Sequence, residues 1–166
     1  LWGWVLGNTA DPMDMLEAHI LADVLLDHSA SPLRHFLETT ELADAPSELC
    51  GIDDSGLQLV FAAGVEGSDR EYAPEILVGI EGIFDQLCAE GIDSEVLHGI
   101  VDRIEMTQKD ITGDSYPYGL QLMSRCLPAV IYDRDPANLL DIDTVINRLR
   151  RHADDPNYVP GLIKKY

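Results

Sequence analysis

The stretch Leu25-Leu26-Asp27-His28-Ser29-Ala30-Ser31-Pro32-Leu33-Arg34-His35-Phe36-Leu37-Glu38 constrains the fold more than any other part of the chain. One apolar helix has to stop here and a second has to start after a very short corner. Upstream, Met13, Leu16, Ile20 and Val24 recur at helical spacing, and Leu21 and Leu25 widen the stripe. His28 to Ala30 breaks the period. Ser31 then reads as an N-cap and Pro32 as a first helical residue, because a proline there forfeits no hydrogen bond. Leu33, Phe36 and Leu37 give the second helix its apolar side.

The rest of the chain divides around that corner. Trp2 to Leu6 reads as a short strand ended by Gly7-Asn8, and Asp11-Pro12 as the cap and first residue of the helix that runs into the corner. Glu41 to Ser47 reads as an acidic loop. Ser47 to Asp53 and Leu57 to Glu66 read as a hairpin turned by Asp53-Asp54-Ser55-Gly56. Leu57, Leu59, Phe61, Ala63 and Val65 alternate along its second arm, so one face should pack on helices.

A helix is expected from about Glu71 to Glu90, with Tyr72, Ile76, Ile80, Phe84 and Leu87 inward and Gly91 as its stop. Gly79 and Gly82 lower its helix propensity, so a close neighbour should need the space. Asp93 caps the next helix, which turns Leu97, Ile100, Val101, Ile104 and Ile111 inward. Thr112-Gly113-Asp114-Ser115 interrupts the pattern. Beyond it the chain reads as nearly all helix. Tyr116, Leu120, Met123, Leu127 and Ile131 form one stripe, with Pro128 a kink or late stop. Ile142, Val145, Ile146 and Leu149 form another, between restarts at Asp135-Pro136 and Asp155-Pro156. The fold expected is therefore α+β, an antiparallel sheet packed on helices over residues 1–113, followed by a helical appendage over 114–166.

Composition limits the partners. The chain has 166 residues and a net charge of −19, and 46% of its residues are hydrophobic, which argues against disorder. Residues 1–100 hold 20 acids against only Arg34 and Arg70, whereas residues 101–166 are nearly balanced. Nucleic acid and anionic membrane are thereby disfavoured as partners, and a basic ligand is permitted. The excess of Asp over Glu and the scarcity of Lys equally fit adaptation to high salt, where an acidic surface keeps a protein soluble. Cys50, Cys88 and Cys126 show no paired motif and read as buried thiols in a reducing compartment, hence a cytoplasmic location. Apolar runs are too short to span a bilayer. The chain opens in what reads as a strand and closes in what reads as a helix, so it reads as a piece of a longer protein.

The search for chemistry yields no catalytic and no metal-binding residue. Glu17-Ala18-His19 lacks the second histidine of a zinc-binding helix, and His28 and His35 lie on either side of the corner with no partner ligands in register. His19, His28, His35, His98 and His152 read as capping or surface histidines. Asp27-His28-Ser29 spells a triad, but neighbouring residues at a helix end point in different directions, whereas triad members must converge. Gly64-Val65-Glu66-Gly67 lacks the lysine of a phosphate loop. Asp53-Asp54 and Asp154-Asp155 fall at turns, where aspartate serves local hydrogen bonds.

The ordered succession of Leu-Leu-x-x-x-x-Ser-Pro-Leu-x-x-x-Leu-Glu, an acidic loop, a hairpin and Gly64-Val65-Glu66-Gly67 resembles the pitrilysin/insulinase family of zinc metallopeptidases, in its presequence-protease-like branch. The resemblance runs from about Trp2 to the C-terminus. It implies repeated α/β domains, each an antiparallel sheet with helices on one side, paired into two halves around a peptide chamber. The zinc motif His-x-x-Glu-His belongs to the family's first domain and is absent here. The stretch resembles the latter part of the second, non-catalytic domain, with the start of a helical linker from about Ser115. The family's arginine and tyrosine from the opposite half belong to another domain and are not carried onto Arg125 or Tyr116. The resemblance implies a non-catalytic chamber-wall and scaffold piece, inactive alone, with no cofactor of its own and zinc in the full-length protein. Its implied partners are the zinc-bearing first domain, the opposite half and peptide substrates. Which residues meet substrate is left open. The alternatives are a non-catalytic partner subunit of the same family and an unrelated helical interaction module.

Overall fold

The computed structural model describes residues 1–109 and 117–166. Strand β1 (Trp2–Asn8) leads into α1 (Pro12–Leu26) and, after the corner, α2 (Pro32–Thr39). Four short strands follow, β2 (Ala45–Pro46), β3 (Gly51–Asp53), β4 (Gln58–Ala63) and β5 (Val65–Glu66). The helices α3 (Ala73–Glu90), α4 (Ser94–Lys109), α5 (Tyr118–Ile131), α6 (Ile142–His152) and α7 (Tyr158–Lys165) complete the α+β fold.

The main sheet is antiparallel, in the order β1-β4-β3. Trp4 stands opposite Phe61 and Val5 opposite Val60, and the ladder slips between Val5 and Gly7. Period-two alternation sorts the two faces. Leu6, Leu59, Phe61 and Ala63 are buried under the helices, whereas Gly3, Val5 and Asp53 on the other face are exposed. The hairpin arms are shorter than their sequence suggests. Gly64 ends β4, and Val65–Glu66 leaves to pair with Ala45–Pro46 inside the acidic loop. A two-residue strand carries no period to read, and Pro46 argues against one, since proline is confined to sheet edges.

The corner forms where it is expected. The Asp11 carboxylate caps α1 by accepting from the Met13 and Asp14 amides at 2.8 and 3.1 Å. Ser31 occupies the N-cap position of α2 with extended backbone, but its hydroxyl makes no cap bond. It turns back to accept from the His28 amide at 3.4 Å, while the Ser31 amide donates to the His28 carbonyl at 2.7 Å, and the two bonds close the corner. Leu33 and Leu37 are buried against α1's Leu16, Ile20, Leu21 and Leu25 in one cluster. Each such side chain contributes about 1.5–3 kcal/mol by leaving water.

Helix α3 begins two residues later than expected, after a 3-10 turn at Arg70–Tyr72, and leaves Tyr72 exposed. Ile76 and Ile80 are buried. Gly91 ends the helix with φ +71, and its Cα faces the Pro156 carbonyl closely enough that a side chain would crowd it. The inward stripes of α4 and α6 are buried as their periodicity requires, Leu97, Ile100, Val101 and Ile104 on one and Ile142, Val145, Ile146 and Leu149 on the other. Side chains of α6 and α7 join the same buried cluster as α1, α3 and α4. The expected boundary near Gly113, the inward Ile111 and the first stripe residue Tyr116 lie outside the described residues.

One stripe is corrected. Met123, Leu127 and Ile131 of α5 are exposed at 59%, 47% and 62%. The helix packs through its opposite side, where Ala129 is fully buried and the Cys126 thiol donates to the Pro136 carbonyl at 3.7 Å. Apolar residues cover more than half of the circumference of α5, Leu122 and Ala129 as well as Met123 and Leu127, and periodicity alone cannot say which part of so wide a stripe is buried.

Candidate functional site

Two features qualify as candidate sites, an apolar cleft and a buried polar clasp beside it. The cleft has a volume of about 490 Å³ and lies among β1, β4, α1, α3 and α7. Its floor is aromatic. Trp4 meets Phe61 at 6.0 Å between ring centroids and Phe84 edge-on at 5.3 Å. Leu21 and Leu25 from α1 and Ile163 from α7 complete the apolar wall, and Glu81 and Asp85 from α3 stand on its rim with Lys164. Period two along β1 and β4 puts Trp4 and Phe61 on the same face. The i, i+4 spacing of Glu81 and Asp85 puts both carboxylates on one side of α3. Cys88, which also lines the cleft, directs its thiol to the Pro160 carbonyl at 3.8 Å and so ties α3 to α7.

The clasp joins α1 to α7. Glu17, only 7% exposed, accepts from the Tyr158 hydroxyl at 3.1 Å and from Lys165 Nζ at 3.1 Å. Lys165 also reaches Asp14 at 3.3 Å and the Tyr166 hydroxyl oxygen at 2.7 Å. A buried carboxylate is tolerable because it is paired and hydrogen-bonded. Burial, the Glu17 charge and the bond to it push the Tyr158 phenol above its ordinary range. Burial works to lower the Lys165 ammonium, but the Tyr166 oxygen and Glu17 outweigh it and hold the group above its usual value. His152 stacks on Tyr158 at 4.9 Å and fixes the phenol from the other side.

Among the described residues, no donor set fits a zinc ion. Glu17, in the segment nearest to a zinc-binding helix, is held by Tyr158 and Lys165. His28 Nδ1 accepts from the Ala30 amide at 3.2 Å, and His98 pairs with Asp154 at 2.9 Å. Among the described residues no three His, Cys, Asp or Glu side chains form a group able to hold a metal. The triad-like letters diverge. Asp27 goes to Arg103 at 2.6 Å and His28 to its own turn. Arg34 first, and then Ser29, hold the Glu38 carboxyl below its ordinary value. Asp53 serves its turn, accepting from the Ser55 amide at 2.9 Å.

Sequence reasoning named no site residue. Phe61 and Phe84 were legible as inward positions and Trp4 only as part of a strand, and their convergence on an open cleft was not legible. Tyr158 and Lys165 lie some 150 residues from Glu17, beyond the reach of any local pattern.

A scan against protein-family models finds no match. The chain is 26% identical over 163 residues to the mitochondrial presequence protease of Aspergillus oryzae, covering 98% of this chain and 16% of that protein. It is 24% identical over 164 residues to the mitochondrial presequence protease of Danio rerio, with 98% and 16% covered. It is 30% identical over 136 residues to presequence protease 1 (chloroplastic/mitochondrial) of Arabidopsis thaliana, with 80% and 12% covered. The chain thus spans about a sixth of the length of these curated relatives or less. Its fold matches that of a Bordetella pertussis protein named as a candidate zinc protease, with a TM-score of 0.63 at 15% identity, covering 99% of this chain and 84% of that one. Resemblance along almost its whole length to presequence proteases, on a fold shared with that Bordetella protein, makes this chain similar to a fragment of the pitrilysin/insulinase family of zinc peptidases.

Proposed function

We propose that residues 1–166 form a non-catalytic wall and scaffold piece of a larger zinc-dependent peptidase that degrades peptides in an enclosed chamber. The observation that carries this reading is the one-sided sheet. Helices cover the face of Leu6, Leu59, Phe61 and Ala63, while Gly3, Val5 and Asp53 on the other face are left exposed. An antiparallel sheet can leave one face to water, and in this reading that face lines the enclosure. The missing His-x-x-Glu-His motif agrees with a supporting role, since that motif supplies both metal ligands and the general base. In this reading the partners are the remainder of the same polypeptide and the peptides it encloses, and α5, which contributes no side chain to the buried cluster that α6 and α7 join, starts a connector between two halves.

Complementation tests the proposal. A longer polypeptide from which this stretch has been deleted should lose peptide cleavage and recover part of it when residues 1–166 are added as a separate chain. Full cleavage by the deleted protein would contradict a wall role.

A further inference from the structure

The outer face of α5 is out of place on a soluble surface. Met123, Leu127, Val130 and Ile131 follow one another at helical spacing and are 59%, 47%, 59% and 62% exposed. Arg125 is the only charge in the fourteen residues of the helix, and its guanidinium is turned inward to donate to the Gln108 carbonyl at 3.3 Å. The inner face is already used, by Ala129 and by Cys126 against Pro136. Single exposed apolar side chains are ordinary, but a continuous stripe on a helix that also buries its other side marks a surface awaiting a partner. The contrast within the molecule is sharp, because α3 turns Glu75, Glu81, Asp85 and Glu90 to solvent.

Resting on the reading above, we propose that the Met123-Leu127-Val130-Ile131 stripe docks another helix of the same polypeptide, lying outside residues 1–166. Two observations favour that occupant. The curated relatives are single proteins in which the matched stretch is only 12–16% of the length, so most of such a polypeptide lies elsewhere. The stripe is uncharged, with i, i+4, i+7 and i+8 positions that fit between the ridges of a facing helix. A second copy of this chain would instead bring another net charge of −19 to the contact, against self-repulsion.

Peroxide oxidation read by mass spectrometry tests the proposal, because methionine oxidation follows exposure. In the isolated chain, Met123 should oxidise about as fast as the 75% exposed Met106, and in the longer polypeptide at least about tenfold more slowly. In parallel, Leu127→Asp should lower the melting temperature of the longer polypeptide and leave that of the isolated chain unchanged. Equal oxidation of Met123 in both proteins overturns the proposal. So does protection already present in the isolated chain that grows with concentration alongside a dimer in sedimentation, which would assign the stripe to a second copy. A wall role could fail in the complementation assay while Met123 stays protected, so the two readings fail separately.

Discussion

The ring of Phe36 on α2 lies directly over Gly79 on α3, so close that a methyl group at position 79 would overlap it. The two helices meet there because one residue has no side chain. Gly82, one turn further along the same helix, faces open space.

The two glycines should therefore respond in opposite senses. Gly82→Ala should stabilise the chain by about 0.5–1 kcal/mol, the ordinary gain from replacing a mid-helix glycine. Gly79→Ala should destabilise it by about 1–3 kcal/mol, because the crowding outweighs that gain, and Phe36→Leu in the same chain should recover part of the loss. Urea midpoints of the variants check this. Stabilisation by both alanines would show that the Phe36 ring moves aside freely.

Pro32→Ala should matter far less than Leu33→Asp. The proline only presets the backbone at the start of α2, an effect of about 1 kcal/mol or less. Leu33 is 0% exposed, and a carboxylate there would be buried without a partner at a cost of several kcal/mol. Thermal melts of the two variants should differ widely. Equal melting temperatures would contradict the placement of the corner.

Alkaline pH should loosen the clasp. The Tyr158 phenol is held above its ordinary value of 10.0 in the fold, so its contribution to stability is complete below pH 10. It is lost as pH rises further, because the unfolded chain ionises while the folded one resists. Lys165, also raised, acts in the same sense. Of the six tyrosines, Tyr158 should fail to show tyrosinate absorbance near pH 10 until the chain unfolds. Tyr158→Phe should cost about 1 kcal/mol at neutral pH by removing the bond to Glu17. It should also flatten the fall in stability between pH 9 and 11, measured by urea denaturation.

Salt should stabilise the chain. Twenty acids against Arg34 and Arg70 in the first hundred residues repel one another, and the Debye length falls from about 10 Å at 0.1 M to about 3 Å at 1 M. The exposed pairs of Arg103 with Asp23 and Asp27 weaken over the same range, but such pairs contribute little. A melting temperature that falls steadily with sodium chloride would show that these pairs outweigh the repulsion.

The elements legible in the sequence are those with a long period and a single buried side. Met13, Leu16, Ile20 and Val24 placed α1, Ile142, Val145, Ile146 and Leu149 placed α6, and Leu59, Phe61 and Ala63 sorted the faces of β4. The pairing of Ala45–Pro46 with Val65–Glu66 was not legible, because two residues hold no pattern and register depends on the whole fold. Helix α5 was read correctly as a helix and wrongly as to its buried side, because Met123 and Leu127 are as apolar as Leu122 and Ala129. Half of the glycine expectation held. The need for space at Gly79 follows from Phe36, while Gly82 meets nothing. The cleft draws its lining from all three thirds of the chain and the clasp joins the first to the last, which no local spacing encodes.

The central claim is tested most directly by assaying the isolated 166-residue chain for zinc and for peptide cleavage together. After mild dialysis, elemental analysis should find no stoichiometric zinc, and a set of unstructured peptides should remain intact with or without added zinc. One tightly held zinc per chain, lost on replacement of His19 or His35 and accompanied by chelator-sensitive cleavage, would contradict a wall and scaffold role.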